Sequence, residues 1–281
     1  MYTICHAVGG LLTSLPVGEP VWGVASLNDL LYVLRSSKLS EQIEVYDADC
    51  YRFQQYITVP ELGVGNDMIA CAHNRCAYIS DTSNQCVHRI GLAQDTALTK
   101  WPVDDEPHCL TVTDTLSVLV TCDEVRKIKE FSTDGKLLRE IQLPEDVVSP
   151  CHTIQLSSGE FIVCHGGIDD RVHRVCLIGS DGGHVVKSFG GLKGSATQQI
   201  NLPAHVAVFD YGFLFVADSK NDRVLLLSPA LTVVRDVLPR GQLKWSPMRL
   251  WLDSDIRRLY VAVNEVKDGI CAAGKLLVAS V

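Results

Sequence analysis

Apolar and polar positions alternate along this chain in short runs cut by tight polar turns, and residues 202–227 show the pattern most fully. Pro203 opens an apolar run carrying Val206 and Val208, a turn follows at Asp210–Gly212, and a second run spans Phe213–Asp218. The polar segment Ser219-Lys220-Asn221-Asp222 gives way to a third run, Arg223–Leu227. Period-two alternation with turns this short predicts antiparallel hairpins rather than helices.

The unit recurs. The aromatic or apolar residue near the start of its second run falls at Tyr32, Tyr78, Leu119, Ile162, Phe215 and Tyr260, with spacings of 46, 41, 43, 53 and 45 residues. Repeats of about 40–50 residues are those of four-stranded propeller blades. A proline precedes the first run at Pro20, Pro107, Pro150, Pro203 and Pro247, with Gly65-Asn66 in that place in the second unit. Unit three parses into strands over 109–112, 116–122, 127–131 and 137–143, the last two joined by Ser132-Thr133-Asp134-Gly135. Asp-Gly between apolar runs is a hairpin signal because both residues tolerate positive φ.

The last unit supplies three runs, 248–252, 258–263 and 274–281, and lacks a fourth. The apolar stretch 11–17 precedes the first unit and is the expected replacement, since an open ring would leave a bare strand edge. The expected fold is therefore all-β: a six-bladed β-propeller of four-stranded antiparallel blades, closed by the N-terminal strand joining the last blade. The 53-residue spacing predicts a loop extension around Gly190-Gly191-Leu192-Lys193-Gly194, which lacks the following helix that a phosphate-binding glycine loop needs.

Composition narrows the function classes. Apolar residues make up 47% of the chain, enough for cores between blades, yet no apolar run reaches 18 residues, so no membrane span is expected. The start, Met1 to His6, lacks the basic and apolar regions of a secretory leader. There are eleven cysteines, an odd number, without a CxxC pair; Cys71, Cys76, Cys86, Cys109, Cys122, Cys164 and Cys176 fall in or beside strands. They are expected to be reduced, buried thiols in a cytoplasmic, monomeric domain. The net charge of −8 disfavours a nucleic-acid surface, and the clusters Arg126-Lys127-Lys129 and Arg257-Arg258 read as solvated turns or strand edges. Trp101, Trp245 and Trp251 are expected to pack between sheets.

The segment Val216-Ala217-Asp218-Ser219-Lys220-Asn221-Asp222-Arg223-Val224 resembles the NHL repeat, in which an Ala-Asp strand end, a polar turn with Asn and an Arg-Ile/Val start follow one another. Ser80-Asp81-Thr82-Ser83-Asn84 resembles it too, with Cys86 in place of the arginine, while units three and four keep only Lys127-Ile128 and Arg174-Val175. The resemblance is to the NHL domains of tripartite-motif proteins, and it implies that residues 1–281 form a single NHL-type propeller domain. It also implies binding of a protein or peptide partner, or of single-stranded RNA, which the acidic charge disfavours.

Aligning the units on their prolines brings Val21-Trp22, Asn66-Asp67, His108-Cys109, Cys151-His152, Ala204-His205 and Met248-Arg249 to the start of the inner strands. Trp22, Asp67, His108, His152, His205 and Arg249 are thus the candidate binding residues, expected at the mouth of the central channel. Arginine offers a forked donor set and tryptophan a flat apolar platform, a pairing found at interaction hot spots. This reading needs no cofactor and no catalytic residue. The alternative is a metal-dependent lyase or hydrolase, with zinc or calcium held by His108, His152 and His205. The repeat pattern is similar, more distantly, to the peptidyl-hydroxyglycine amidating lyases, whose zinc histidines occupy Pro-His steps. Only Pro107-His108 keeps that step here; His152 and His205 lie one residue later, and a one-residue shift turns a strand side chain to the other face.

Overall fold

Six four-stranded antiparallel sheets make up the computed structural model, which describes residues 11–35, 42–92, 97–267 and 270–281. Blades one to five are each built from four consecutive strands hydrogen-bonded in sequence order. In blade five these are Pro203–Phe209, Phe213–Asp218, Arg223–Leu227 and Val233–Leu238. The first strand of each blade touches its counterpart in the neighbouring blades, and the series closes from blade six back to blade one. These inner strands therefore surround a common axis. The leader reading of residues 1–6 lies outside the described residues.

Blade six is the joint of the ring. Its inner strands are Ser246–Asp253, Arg258–Lys267 and Ile270–Ser280, and Leu11–Ser14 pairs antiparallel with the last, placing Leu11 opposite Ala279 and Ser14 opposite Leu277. Closure of the ring thus joins the two ends of the described chain and removes the free edge. Between blades, inward residues of facing sheets interdigitate: Phe215, Leu226, Leu250 and Val261 bury one such core between blades five and six.

The loop expected at Gly190–Gly194 is a correction. Gly190, Gly191 and Leu192 belong to the outer strand Val185–Leu192 and pair with Arg174, His173 and Val172. Gly190 has φ +99°, and a Cβ there would meet the His173 carbonyl oxygen at 2.5 Å, so glycine permits a tight strand contact rather than a mobile extension. The extra length of that unit lies in its longer strands and in residues 193–202. Among the described residues, helical structure is confined to the short turns Asp210–Gly212 and Ser219–Asn221, and none is long and apolar enough to cross a membrane.

One irregularity repeats in every blade. The pairing of the inner strand with the second strand slips by one residue between Val21 and Gly23, Gly65 and Asp67, Pro107 and Cys109, Pro150 and His152, Pro203 and His205, and Pro247 and Arg249. Each slip is a bulge, which re-aims the side chains around it.

Candidate functional site: the axial channel

The bulge divides the sequence-predicted residues into two sets. Trp22 and His108 occupy the bulge position itself and are half-buried. Asp67, His152, His205 and Arg249 occupy the next position and are buried, with exposures of 2%, 2%, 6% and 2%. They do not rim an open mouth; they plug the axis. In blade one the equivalent residue is Gly23, where an added Cβ would lie 2.5 Å from the Met68 Cβ, so no side chain fits. In blade three it is Cys109, a buried free thiol.

The four plug side chains meet across the ring. Asp67 of blade two lies 3.4 Å from the Arg249 Nε of blade six and 3.9 Å from the His205 Nε2 of blade five. The His152 and His205 rings of adjacent blades stack with centroids 3.6 Å apart. Arg249 donates from Nη1 to the Met248 carbonyl at 2.9 Å and from Nη2 to the Asn66 carbonyl at 2.7 Å, while its guanidinium carbon sits 5.6 Å from the Trp22 ring centre. His152 Nδ1 accepts from the Val206 N–H at 3.4 Å, so its proton is on Nε2, which faces Thr111 Oγ1 at 3.3 Å. Thr111 in turn donates to the Thr153 carbonyl at 2.6 Å. His108 turns to the Cys151 carbonyl, 2.9 Å from its Nδ1.

Charge in this plug is internally balanced. Burial alone raises the Asp67 carboxyl, but the facing His205 imidazole, the Arg249 charge and the Leu110 N–H outweigh it and hold the group below the usual carboxylate range. Burial, reinforced by Arg249, pushes His108 down to about 4. Burial and the neighbouring His205 push His152 well below the ordinary imidazole value, and burial lowers His205 despite Asp67. At neutral pH the site is one carboxylate, one guanidinium and three neutral imidazoles.

Among the described residues, two groups of side chains bring together donors that could hold a metal ion. Ligating atoms of Asp67, His152 and His205 lie within 4.8 Å of one another, as do those of Asp81, Cys86 and His88 in blade two. In the first group the Arg249 guanidinium already stands as counter-cation, and both Asp67 oxygens accept backbone N–H groups, from Met68 and Leu110, at 2.9 Å. In the second group Asp81 accepts from Gly63 N at 2.7 Å, Asn84 Nδ2 at 2.8 Å, Ser83 Oγ at 3.1 Å and His88 Nε2 at 3.1 Å. An ion at either place would displace donors that the fold supplies.

Below the plug, toward the ends of the inner strands, a cavity of about 250 Å³ opens, with Leu110, Ile154, Val208, Leu250 and Trp251 among its walls and His152, His205 and Thr111 at its polar end. Trp251, expected to pack between sheets, is therefore also a channel wall. Its signal in the sequence was its position two residues beyond Arg249, the same side of the same strand. Most of the basic cluster residues are ion-paired, Lys127 and Lys129 to Glu140, Lys129 also to Asp105, Arg257 to Asp210 and Arg258 to Asp49, while Arg126 donates to the Glu145 carbonyl.

No protein-family model matches this sequence, and no curated protein sequence matches it. Solved structures do match in fold. A candidate gluconolactonase is 13% identical with a TM-score of 0.68, the match covering 98% of this chain and 93% of that one. Virginiamycin B lyase from Staphylococcus aureus is 11% identical with a TM-score of 0.61, covering 93% and 95%. A protein of unknown function from Bacteroides caccae is 14% identical with a TM-score of 0.63, covering 88% and 84%. At these identities the likeness is one of propeller fold, shared by enzymes and by proteins without an assigned activity.

Proposed function

We propose that this propeller is a noncatalytic recognition module that receives a protein or peptide partner at its central channel. The carrying observation is the balanced plug above an open apolar cavity: Asp67 is committed to Arg249 and two backbone N–H groups, leaving it neither a free base nor an unclaimed ligand. The resolved shifts among cysteine thiols are all upward, through burial, so none of those thiols is activated as a nucleophile. An apolar cavity with a few convergent polar groups is suited to taking a side chain from a partner.

The same proposal treats the chain as a monomeric NHL-type repeat protein of the cytoplasm. In its support, blade five binds the Asp218 carboxylate with Asn221 Nδ2 at 2.9 Å and Arg223 Nε at 2.7 Å, giving the Asp-Asn-Arg turn a physical role. The ten described cysteines are free. RNA is the weaker partner because Lys127, Lys129 and Arg257 are already paired with carboxylates of the same chain.

The second reading, a metal-dependent lyase or hydrolase, is favoured by the Asp67, His152 and His205 donor set. Two measurements decide. Elemental analysis of protein purified without added metal is expected to give far less than one zinc or calcium per chain. One equivalent that vanishes in His152→Ala and His205→Ala establishes the metal reading instead. Panning a displayed peptide library is expected to yield binders that lose affinity in Trp251→Ala; binders indifferent to every channel substitution remove the channel from the recognition role.

A further inference from the structure

On the face where the inner strands end, a groove of about 540 Å³ lies between blades six and one, beside the channel cavity. Trp251 and Leu252 line both spaces, so cavity and groove share a wall. We propose that together they form one composite site for a peptide segment carrying an apolar side chain flanked by lysine or arginine, the apolar group entering the channel and the cations lying in the groove. This rests on the recognition reading above and adds the chemistry of the partner.

The groove is lined by Asp29, Asp49, Asp253 and Asp255, and by no lysine or arginine. Asp49 is 3.5 Å from Arg258, but Asp29 and Asp255, both exposed, have no ion pair among the described residues. Like-signed carboxylates lining a concave, partly apolar space focus potential and attract a cation. The shared wall is held in place by a hydrogen-bond chain: Trp251 Nε1 donates to Ser26 Oγ at 2.8 Å, and Ser26 donates to Asp253 Oδ2 at 2.6 Å. That chain fixes the indole and orients one carboxylate before any ligand arrives, which lowers the ordering cost of binding.

The channel cavity is polar only where His152, His205 and Thr111 reach it, and its other walls are apolar. The apolar walls exclude a charged side chain from the channel itself, while the groove beside it selects one. The pair of spaces thus asks for adjacent apolar and cationic groups, a combination that a basic-apolar peptide supplies and an acidic or purely basic one does not.

The test uses short, capped, fluorescently labelled peptides in three versions: central leucine flanked by lysines, central leucine flanked by glutamates, and central serine flanked by lysines. Polarisation is read against the full chain, Asp255→Lys and Asp29→Lys. The lysine-leucine peptide is expected to bind about tenfold or more tighter than either other version, weakening as salt screens the groove. Each exposed charge reversal is expected to weaken it by about tenfold; Asp255→Lys leaves the melting temperature unchanged, whereas Asp29→Lys, at a position with φ +60°, is read for binding alone. Equal affinity for lysine and glutamate flanks overturns the inference and leaves the recognition reading standing. Equal affinity for leucine and serine centres also overturns it, as plain attraction to an acidic surface. Failure of all three peptides, together with an empty library selection, sinks both.

Discussion

The two halves of the axial channel both draw on the inner strands of blades two, four, five and six and have opposite chemistry. At the strand starts, Asp67, His152, His205 and Arg249 close the axis with facing opposite charges and stacked imidazoles. A few residues on, Ile154, Val208, Leu250 and Trp251 line an open space with apolar surface. The bulge marks the boundary. It turns one residue of each inner strand toward the axis where regular pairing would not, and polar residues occupy that position in blades two, four, five and six. The contrast teaches that polar residues in a propeller channel need not be the receptive end: a charge-balanced plug is structural, and reception falls to the apolar space beside it.

The sharpest way to break the comparison is to unbalance the plug. Asp67→Ala leaves the Arg249 cation buried and unpaired, and urea unfolding is expected to show a loss of about 3–5 kcal/mol. The double change Asp67→Leu with Arg249→Met, which removes both charges, is expected to recover much of that loss. A single-variant cost below about 1 kcal/mol would mean the plug holds little together.

Next in size is the channel wall. Trp251 is half-buried and packs against three blade cores, so Trp251→Ala is expected to cost about 2–3 kcal/mol of stability, less than a fully buried aromatic. The same variant is expected to abolish peptide binding, whereas changes in the plug act on stability first.

Acid acts on the plug and also on the buried His165 of blade four, which burial and the Arg174 charge push down to about 4. His108, His152 and His205 have lowered values in the folded chain, so between about pH 6.5 and about pH 4 the unfolded chain binds more protons than the native one. Stability therefore falls as pH drops through that window, and His108 alone accounts for a loss of about 3 kcal/mol by pH 4. His108→Gln is expected to flatten the upper part of the decline. A melting temperature that is constant across the window would show these imidazoles to be solvated. The smallest effect belongs to the groove: Asp255→Lys is expected to change stability by less than about 0.5 kcal/mol, since the residue is exposed and unpaired.

Blade architecture was legible because it is local. Tyr32, Tyr78, Leu119, Ile162, Phe215 and Tyr260 all lie in second strands, and the stretch at Leu11–Ser14 closes the last blade as its apolar pattern implied. Gly190 and Gly191 misled because glycine marks a loop and a close strand contact with the same letter. Aligning the units on proline already set Asp67, His152, His205 and Arg249 in one column, with His108 one place earlier. The offset was visible; its meaning was not, because a bulge leaves no composition of its own.

The sequence by itself determined the period, the number of blades and the strand that closes the ring, since each depends on alternation and turns within some 50 residues. Only the tertiary structure decided that Asp67 meets Arg249 across 182 positions of chain, that His152 stacks on His205, and that Trp251 joins an apolar cavity to a row of aspartates. Those contacts lie between blades, where distance along the chain carries no information about distance in space. The curvature of the ring and the bulge in each inner strand bring them together.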